Sequence, residues 1–215
     1  MVRAPDGALS VHADVGPHVT GHPNDMVVGP DGTAYLGNFG FDLMGGAAPA
    51  TAALLRISAS GDVSVAAEGL HFPNGSVITP DGRTLIVDES FGNRTSAFEI
   101  TADGLGPRRD WAVFGPVPQH ASERNYVPDG CGLDAEGCLW IADAGHGRVC
   151  RVREGGEILE TVEPGTGVFA CMLGGEDGRD LIMCCAPDFF EDKRSAAKEA
   201  ELKVTRVEVP RAGWP

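Results

Sequence analysis

The chain has 215 residues, 42% of them hydrophobic and 22% charged, a composition that supports a folded domain with a real core. Its formal charge of −14, from 17 basic and 31 acidic residues, argues against nucleic acid as a partner, because phosphate binding needs basic surface. No apolar run approaches the roughly 20 residues of a membrane span, and "MVRAPDGALS" at the N-terminus has no apolar secretory core, so no membrane partner and a cytoplasmic location are expected.

Taken in order, "RAPDGALSVHAD" reads as a turn followed by the outer strand of a unit whose earlier part is not in the chain. A first repeat then opens at Asn24: "NDMVVGPDG" ends in a turn at Gly32 and is followed by strands "TAYLGN", "ALLRIS" and "DVSVAA". The second opens at Asn74 with "NGSVITPDG", and continues with "RTLIVDES", "TSAFEI" and "DWAVF". The third opens at Asp129 with "DGCGLDAEG", then "CLWIADA", "RVCRV" and "EILETV". The fourth opens at Ala170 with "ACMLGGEDG", then "RDLIMCCA" and "KVTRVEV", and no fourth strand follows. The stretch 189–203, "FFEDKRSAAKEAELK", reads equally as a helix or as a charged surface loop.

Short strands separated by Asp/Glu-Gly turns, four to a unit, predict an all-β protein built as a β-propeller. About four blades are expected in one domain, near residues 19–68, 69–115, 124–163 and 166–210. The six cysteines have no CxxC spacing, lie in strand-like apolar context, and are expected to be reduced and buried.

Asn24, Asn74 and Asp129 each stand eight residues before the turn glycine of their repeat, Gly32, Gly82 and Gly137. Asn-Asp, Asn-Gly and Asp-Gly are common turn dipeptides, and any one of them alone reads as a turn. Their shared register favours something else. The first strand of a propeller blade lines the central channel, so the register brings two amides and a carboxylate together at one end of it. Such oxygen donors suit one hard divalent cation, Ca²⁺ or Mg²⁺. Ala170 gives the fourth repeat no ligand there. His18, His22, His71, His120 and His146 fall in loops on the same end, His12 does not, and "NFGFDLMGGAAPATAA" reads as a mobile lid. Asp88 and Asp143, at the ends of second strands, are expected to bond loop backbone. No GxSxG motif supports serine catalysis.

The segments "HPNDMVVGPDG", "FPNGSVITPDGRTLIVDES", "VPDGCGLDAEGCLWIADAGHGRV" and "MLGGEDGRDLIMCCA" resemble the senescence-marker-protein/gluconolactonase (regucalcin-like) family. The resemblance implies a six-bladed propeller with one catalytic divalent cation that hydrolyses sugar lactones. Ca²⁺ is the first choice of ion, with Zn²⁺, Mg²⁺ and Mn²⁺ as alternatives. By match of position, Asn74 and Asp129 are metal ligands, Asp129 is the proton acceptor, Asn24 binds substrate or metal, and His22 stands where the family has a substrate-contacting Arg. The family's further acidic ligand, a Glu in an "EGP" context, has no counterpart here. The resemblance therefore implies that nearly two N-terminal blades, roughly 70–90 residues, are missing. "VEVPRAGWP" is similar to a normal family ending, so the ring is expected to be open, with unpaired blade edges prone to self-association. Two other functions use the same site: a phosphotriester hydrolase and a non-catalytic calcium-binding or interaction module.

Overall fold

Four short strands, each the first of its repeat, run side by side and carry the architecture. They are embedded in four antiparallel sheets in the computed structural model, which describes residues 1–213; Trp214 and Pro215, the end of the "VEVPRAGWP" segment, lie outside the described residues. The chain begins with a separate hairpin of β1 (Val2–Arg3) and β2 (Leu9–Ser10). Blade one is β3 (Pro23–Val28), β4 (Ala34–Asn38), β5 (Ala52–Ile57) and β6 (Val63–Leu70), paired in that order. Blade two is β7 (Pro73–Ile78), β8 (Thr84–Glu89) and β9 (Arg94–Thr101), with β10 (Gly104–Leu105) and β11 (Arg109–Val113) both pairing to β9. Blade three is β12 (Pro128–Asp134), β13 (Leu139–Asp143), β14 (Arg148–Val152) and β15 (Ile158–Val162). Blade four is β16 (Val168–Gly174), β17 (Asp180–Cys185) and β18 (Glu201–Arg206), with a short helix, α1 (Glu191–Ala197), between the last two. Apart from that helix and two single 3-10 turns, Gly16–His18 and Ala121–Glu123, the elements of the described residues are all strands, arranged as a four-blade partial propeller.

The helix settles the ambiguity over 189–203: its first half is helical and its end is strand. The third strand of blade four starts at Glu201, two residues before the "KVTRVEV" expected from sequence. A last strand, β19 (Arg211–Ala212), was not foreseen; it reaches back to pair with β12, Ala212 opposite Leu133 and Arg211 opposite Asp134.

Blades stack face to face through apolar side chains. Val27, Tyr35, Leu54 and Leu70 of blade one pack with Ile78, Leu85, Val87 and Phe98 of blade two. Val77, Ile86 and Trp111 meet Leu133, Leu139 and Ile141 between blades two and three. Trp140, Ala142 and Val149 meet Val168, Leu173, Leu181 and Met183 between blades three and four. Each such side chain stabilises the stack by about 1.5–3 kcal/mol relative to exposure. Strands sandwiched on both faces cannot alternate, so β7 is buried along its whole length, whereas outer strand β15 is not. Packing of the inner strands runs β3 to β7 to β12 to β16 in sequence. Gly75 and Gly130 make this closeness possible: a Cβ on Gly75 would lie 2.2 Å from the Asp129 carbonyl oxygen, and one on Gly130 would lie 2.7 Å from Ala170.

All six cysteines are free thiols, but Cys184 is exposed while the other five are buried. It departs from the expectation because it faces outward from β17, and neighbouring Cys185 takes the inward face. Among the described residues no helix is long and apolar enough to cross a membrane.

Candidate functional site

The Asn-Gly dipeptide at 74–75 is a strong turn signal, yet it makes no turn. It forms a β-bulge. Pro73 pairs with Glu89 and Ser76 with Val87, so Asn74 and Gly75 together face the single residue Asp88. The same two-against-one irregularity recurs at Asn24 and Asp25, between the pairs Pro23–Asn38 and Met26–Leu36. It recurs again at Asp129 and Gly130, between Pro128–Asp143 and Cys131–Ile141. A bulge bends its strand and re-aims a side chain, so the polar residue of each blade is turned out of the ladder at the same level. In blade four the irregularity spans only Phe169, between Val168 and Ala170.

Asn24, Asn74 and Asp129 line one cavity of about 360 Å³. The Asn74 amide is buried; its Nδ2 donates to Ser90 Oγ at 2.9 Å, and its Oδ1 has no hydrogen-bond partner. The Ser90 hydroxyl in turn donates to the Pro128 carbonyl at 2.6 Å, one residue before Asp129. Asn24 Nδ2 donates to the Pro73 carbonyl at 3.3 Å. Both asparagines are therefore held through their own N–H donors, which leaves their carbonyl oxygens as the groups without a bond.

Asp129 is half-buried, and desolvation pushes its carboxyl up to about 7. The charge of Asp25 raises it further, while the Asn74 amide and the Gly130 N–H act in the opposite direction. Asp25 is solvent-exposed by accessible surface, yet the protein around its carboxyl desolvates it enough to raise its own pKa too. Below this layer lies Asp88, fully buried, its pKa raised to about 8 chiefly by desolvation, with Thr95 and Cys131 hydrogen bonds opposing and the charges of Asp129 and Asp25 adding to the rise. Asp88 does not bond loop backbone as expected. Its Oδ1 accepts the Thr95 hydroxyl, and its Oδ2 has no partner. Asp143 does meet the expectation, accepting the Val127 N–H at 3.0 Å, and it also binds His146 and Arg148.

His22 does not line the cavity; it is exposed and stands edge-on to Phe39, ring centroids 5.7 Å apart. His71 and His120 line a separate, adjoining cavity, which shares Phe91 and Arg124 with the first. Leu43 and Met44 of the "NFGFDLMGGAAPATAA" loop also line the Asn74 cavity. Ser90 and Arg124 were missed from the sequence. Ser90 closes the recognised segment "FPNGSVITPDGRTLIVDES", but its contact is with a residue 38 positions away. Among the described residues no group of three or more His, Cys, Asp or Glu side chains is placed to hold a metal ion. A cation here would depend on the amide oxygens as well as on the Asp129 carboxylate.

Fold and cavity together define a partial β-propeller with a polar cluster contributed by the first strands of three blades. The chain belongs to the SMP-30/Gluconolactonase/LRE-like family, whose model matches residues 1–186. It is 30% identical over 186 residues to a regucalcin of Danio rerio, covering 85% of this chain and 60% of the relative. It is 27% identical over 169 residues to a 6-deoxy-6-sulfogluconolactonase of Pseudomonas putida, covering 75% of this chain and 55% of that one. The chain thus spans a little over half the length of these curated relatives. Among solved structures, a gluconolactonase of Xanthomonas campestris aligns with TM-score 0.66 at 26% identity, covering 86% of this chain and 61% of that one. A calcium-binding regucalcin of Agrobacterium tumefaciens has the same fold, with TM-score 0.73 at 23% identity over 97% of this chain and 69% of its own.

Proposed function

We propose that the chain hydrolyses a lactone at the cluster of Asn24, Asn74 and Asp129, with one divalent cation, Ca²⁺ first among the candidates. The reading rests on Asn74, which lines the same cavity as Asp129 and whose buried Oδ1 has no hydrogen-bond partner. A buried polar oxygen without a partner costs about 1–3 kcal/mol, so it marks a place where a ligand completes the structure. Two amide oxygens and a carboxylate are hard donors that fit such an ion, and they would hold it from three blades. Family membership and the gluconolactonase relatives support the same chemistry.

A bound cation there supplies electrophilic polarisation of the lactone carbonyl and of the oxyanion that develops from it. Asp129 accepts the proton of the water that attacks the carbonyl carbon. As the ring C–O bond breaks, the same carboxyl returns that proton to the departing alkoxide, so water is added and a hydroxy acid is released. Ser90 holds the Asn74 amide by its nitrogen and leaves its oxygen unpaired. His22, at the cavity's margin against Phe39, is proposed to contact the substrate from outside.

The test is turnover of a lactone panel by the purified chain with Ca²⁺, Zn²⁺, Mg²⁺ or Mn²⁺, beside Asp129→Asn. Metal-dependent turnover lost in Asp129→Asn is the expected result. A second reading follows from the single carboxylate, which predicts weak cation affinity: Ca²⁺ binding without turnover of any ester would assign the site to a calcium-binding module. Turnover of a phosphotriester instead of a lactone would assign it to the phosphotriester hydrolases.

A further inference from the structure

The walls of the cavity differ in kind from its floor. Above Asn74 and Asp129, three rings form a column: Phe39 stacks on Phe72 with centroids 4.4 Å apart, and Phe72 on Phe91 with centroids 4.6 Å apart. The Arg124 guanidinium carbon lies 3.6 Å over the Phe91 ring and closes the column. Phe72 is held there at φ 62°, a left-handed conformation that is an outlier for a bulky residue and persists only where the surroundings enforce it. On the other side stand Phe169 and Phe189, ring centroids 6.4 Å apart.

The rim is also apolar, and it is wet. Met44, from the loop between β4 and β5, is 61% exposed, and Phe189, from the loop after β17, is 56% exposed. Both line the cavity. Large apolar side chains gathered around a cavity mouth and left in water are a signature of a binding surface. A polyhydroxylated lactone needs a hydrogen-bond partner for each hydroxyl it buries, and a pocket that lacks them loses affinity for it. Here the polar side chains are Asn24, Asn74, Ser90 and Asp129 on the floor and Arg124 laid over Phe91, against a majority of apolar side chains of Phe, Leu, Met, Val and Ala, and the Ser90 hydroxyl is already spent on Asn74 and Pro128.

We infer that the substrate is a lactone carrying an aryl or medium-chain alkyl substituent, which lies between the Phe39–Phe72–Phe91 column and the Met44–Phe189 rim. The inference rests on the lactonase reading above and gives the substrate class of that same site. The polar ring oxygens face the floor; the substituent displaces water from the walls.

The test compares kcat/KM for gluconolactone, δ-valerolactone and phenyl- and hexyl-substituted δ-lactones with the purified chain and Ca²⁺. The substituted lactones are expected to exceed δ-valerolactone by at least about tenfold, the low end of what one methylene seated in an apolar pocket contributes. Phe189→Ala and Met44→Ala are expected to narrow that ratio by several-fold through KM rather than kcat. Gluconolactone as the best substrate would overturn the inference and leave the lactonase reading standing. Absence of turnover with every lactone would overturn that reading. In that event, calorimetry with the non-hydrolysable phenyl-substituted δ-lactam and gluconolactam decides the specificity: tighter binding of the phenyl lactam supports the apolar site, and equal, weaker or no binding overturns it.

Discussion

Asn74 donates its amide hydrogen to Ser90 Oγ over 2.9 Å, and this bond leaves the buried Oδ1 of the same amide without a partner. The hydroxyl has no freedom to do otherwise, since its own proton goes to the Pro128 carbonyl at 2.6 Å. A buried amide with its nitrogen fixed leaves its oxygen for a ligand. Ser90→Ala is therefore expected to lower divalent-cation affinity by about 10–100-fold, the range for loss of a group that orients a ligand. Its cost in stability should be smaller, about 1–2 kcal/mol. Calcium titration calorimetry and urea melts of the two proteins measure both. Unchanged affinity would remove Ser90 from the site.

Asp129 must be ionised to hold a cation, and without one its carboxyl titrates at about 7 because of desolvation. Protons and cation then compete. A carboxyl with that pKa is roughly 90% ionised at pH 8 and roughly 10% at pH 6, so apparent Ca²⁺ affinity should fall about tenfold between them. Calorimetry at the two pH values checks this. Asp129→Asn is expected to abolish lactone turnover and to bind Ca²⁺ with an affinity that no longer depends on this titration.

Asp88 carries its own pH dependence. Burial raises its carboxyl to about 8 in the folded protein, far above the value of about 3.9 for an exposed Asp. The folded state therefore holds a proton that the unfolded chain releases near pH 4. The stability this proton provides is complete below about pH 4 and is lost as the pH rises through about 8. Asp88→Asn keeps the shape and removes the charge, so it should melt at a higher temperature than the parent at pH 8 and show a flatter profile between pH 5 and 8. Calorimetric scans across that range provide the comparison, and parallel profiles would contradict it.

Gly75→Ala tests the approach of blades two and three. The added carbon would sit 2.2 Å from the Asp129 carbonyl oxygen, a contact with backbone that no rotamer relieves. The two inner strands must separate, and a loss of about 1–3 kcal/mol, or more, is expected. Chemical denaturation measures it. Cation binding should weaken in the same variant, because Asn74 and Asp129 flank the contact.

The blades were legible because their punctuation is regular: an Asp/Glu-Gly turn and a short apolar run recur at each unit. The register of Asn24, Asn74 and Asp129 was also legible, since it needs only counting back from a glycine. What the register meant locally was not. Asn74-Gly75 has the composition of a turn, and only the facing strand β8 shows that two residues oppose Asp88 in a bulge. Ser90, Arg124 and the Phe39–Phe72–Phe91 column stayed hidden for a related reason. Their contacts join different blades or the links between them, and no periodicity within one blade encodes a contact to the next. The expectation for His22 rests on the family resemblance, and its edge-on contact with Phe39 is a matter of packing that the resemblance does not carry.

Nearly every strand pairs with one close to it in the chain, and β19 is the exception: Arg211 and Ala212 return to Asp134 and Leu133, almost eighty positions back. Local hairpins close quickly, and distant pairings wait for the chain that separates them. On a ribosome, blades one to three can form while the fourth is still being made. The return strand is laid against β12 only after β16, β17 and β18 have emerged, so that edge of the third blade should stay open to chaperones until the chain has grown past Ala212.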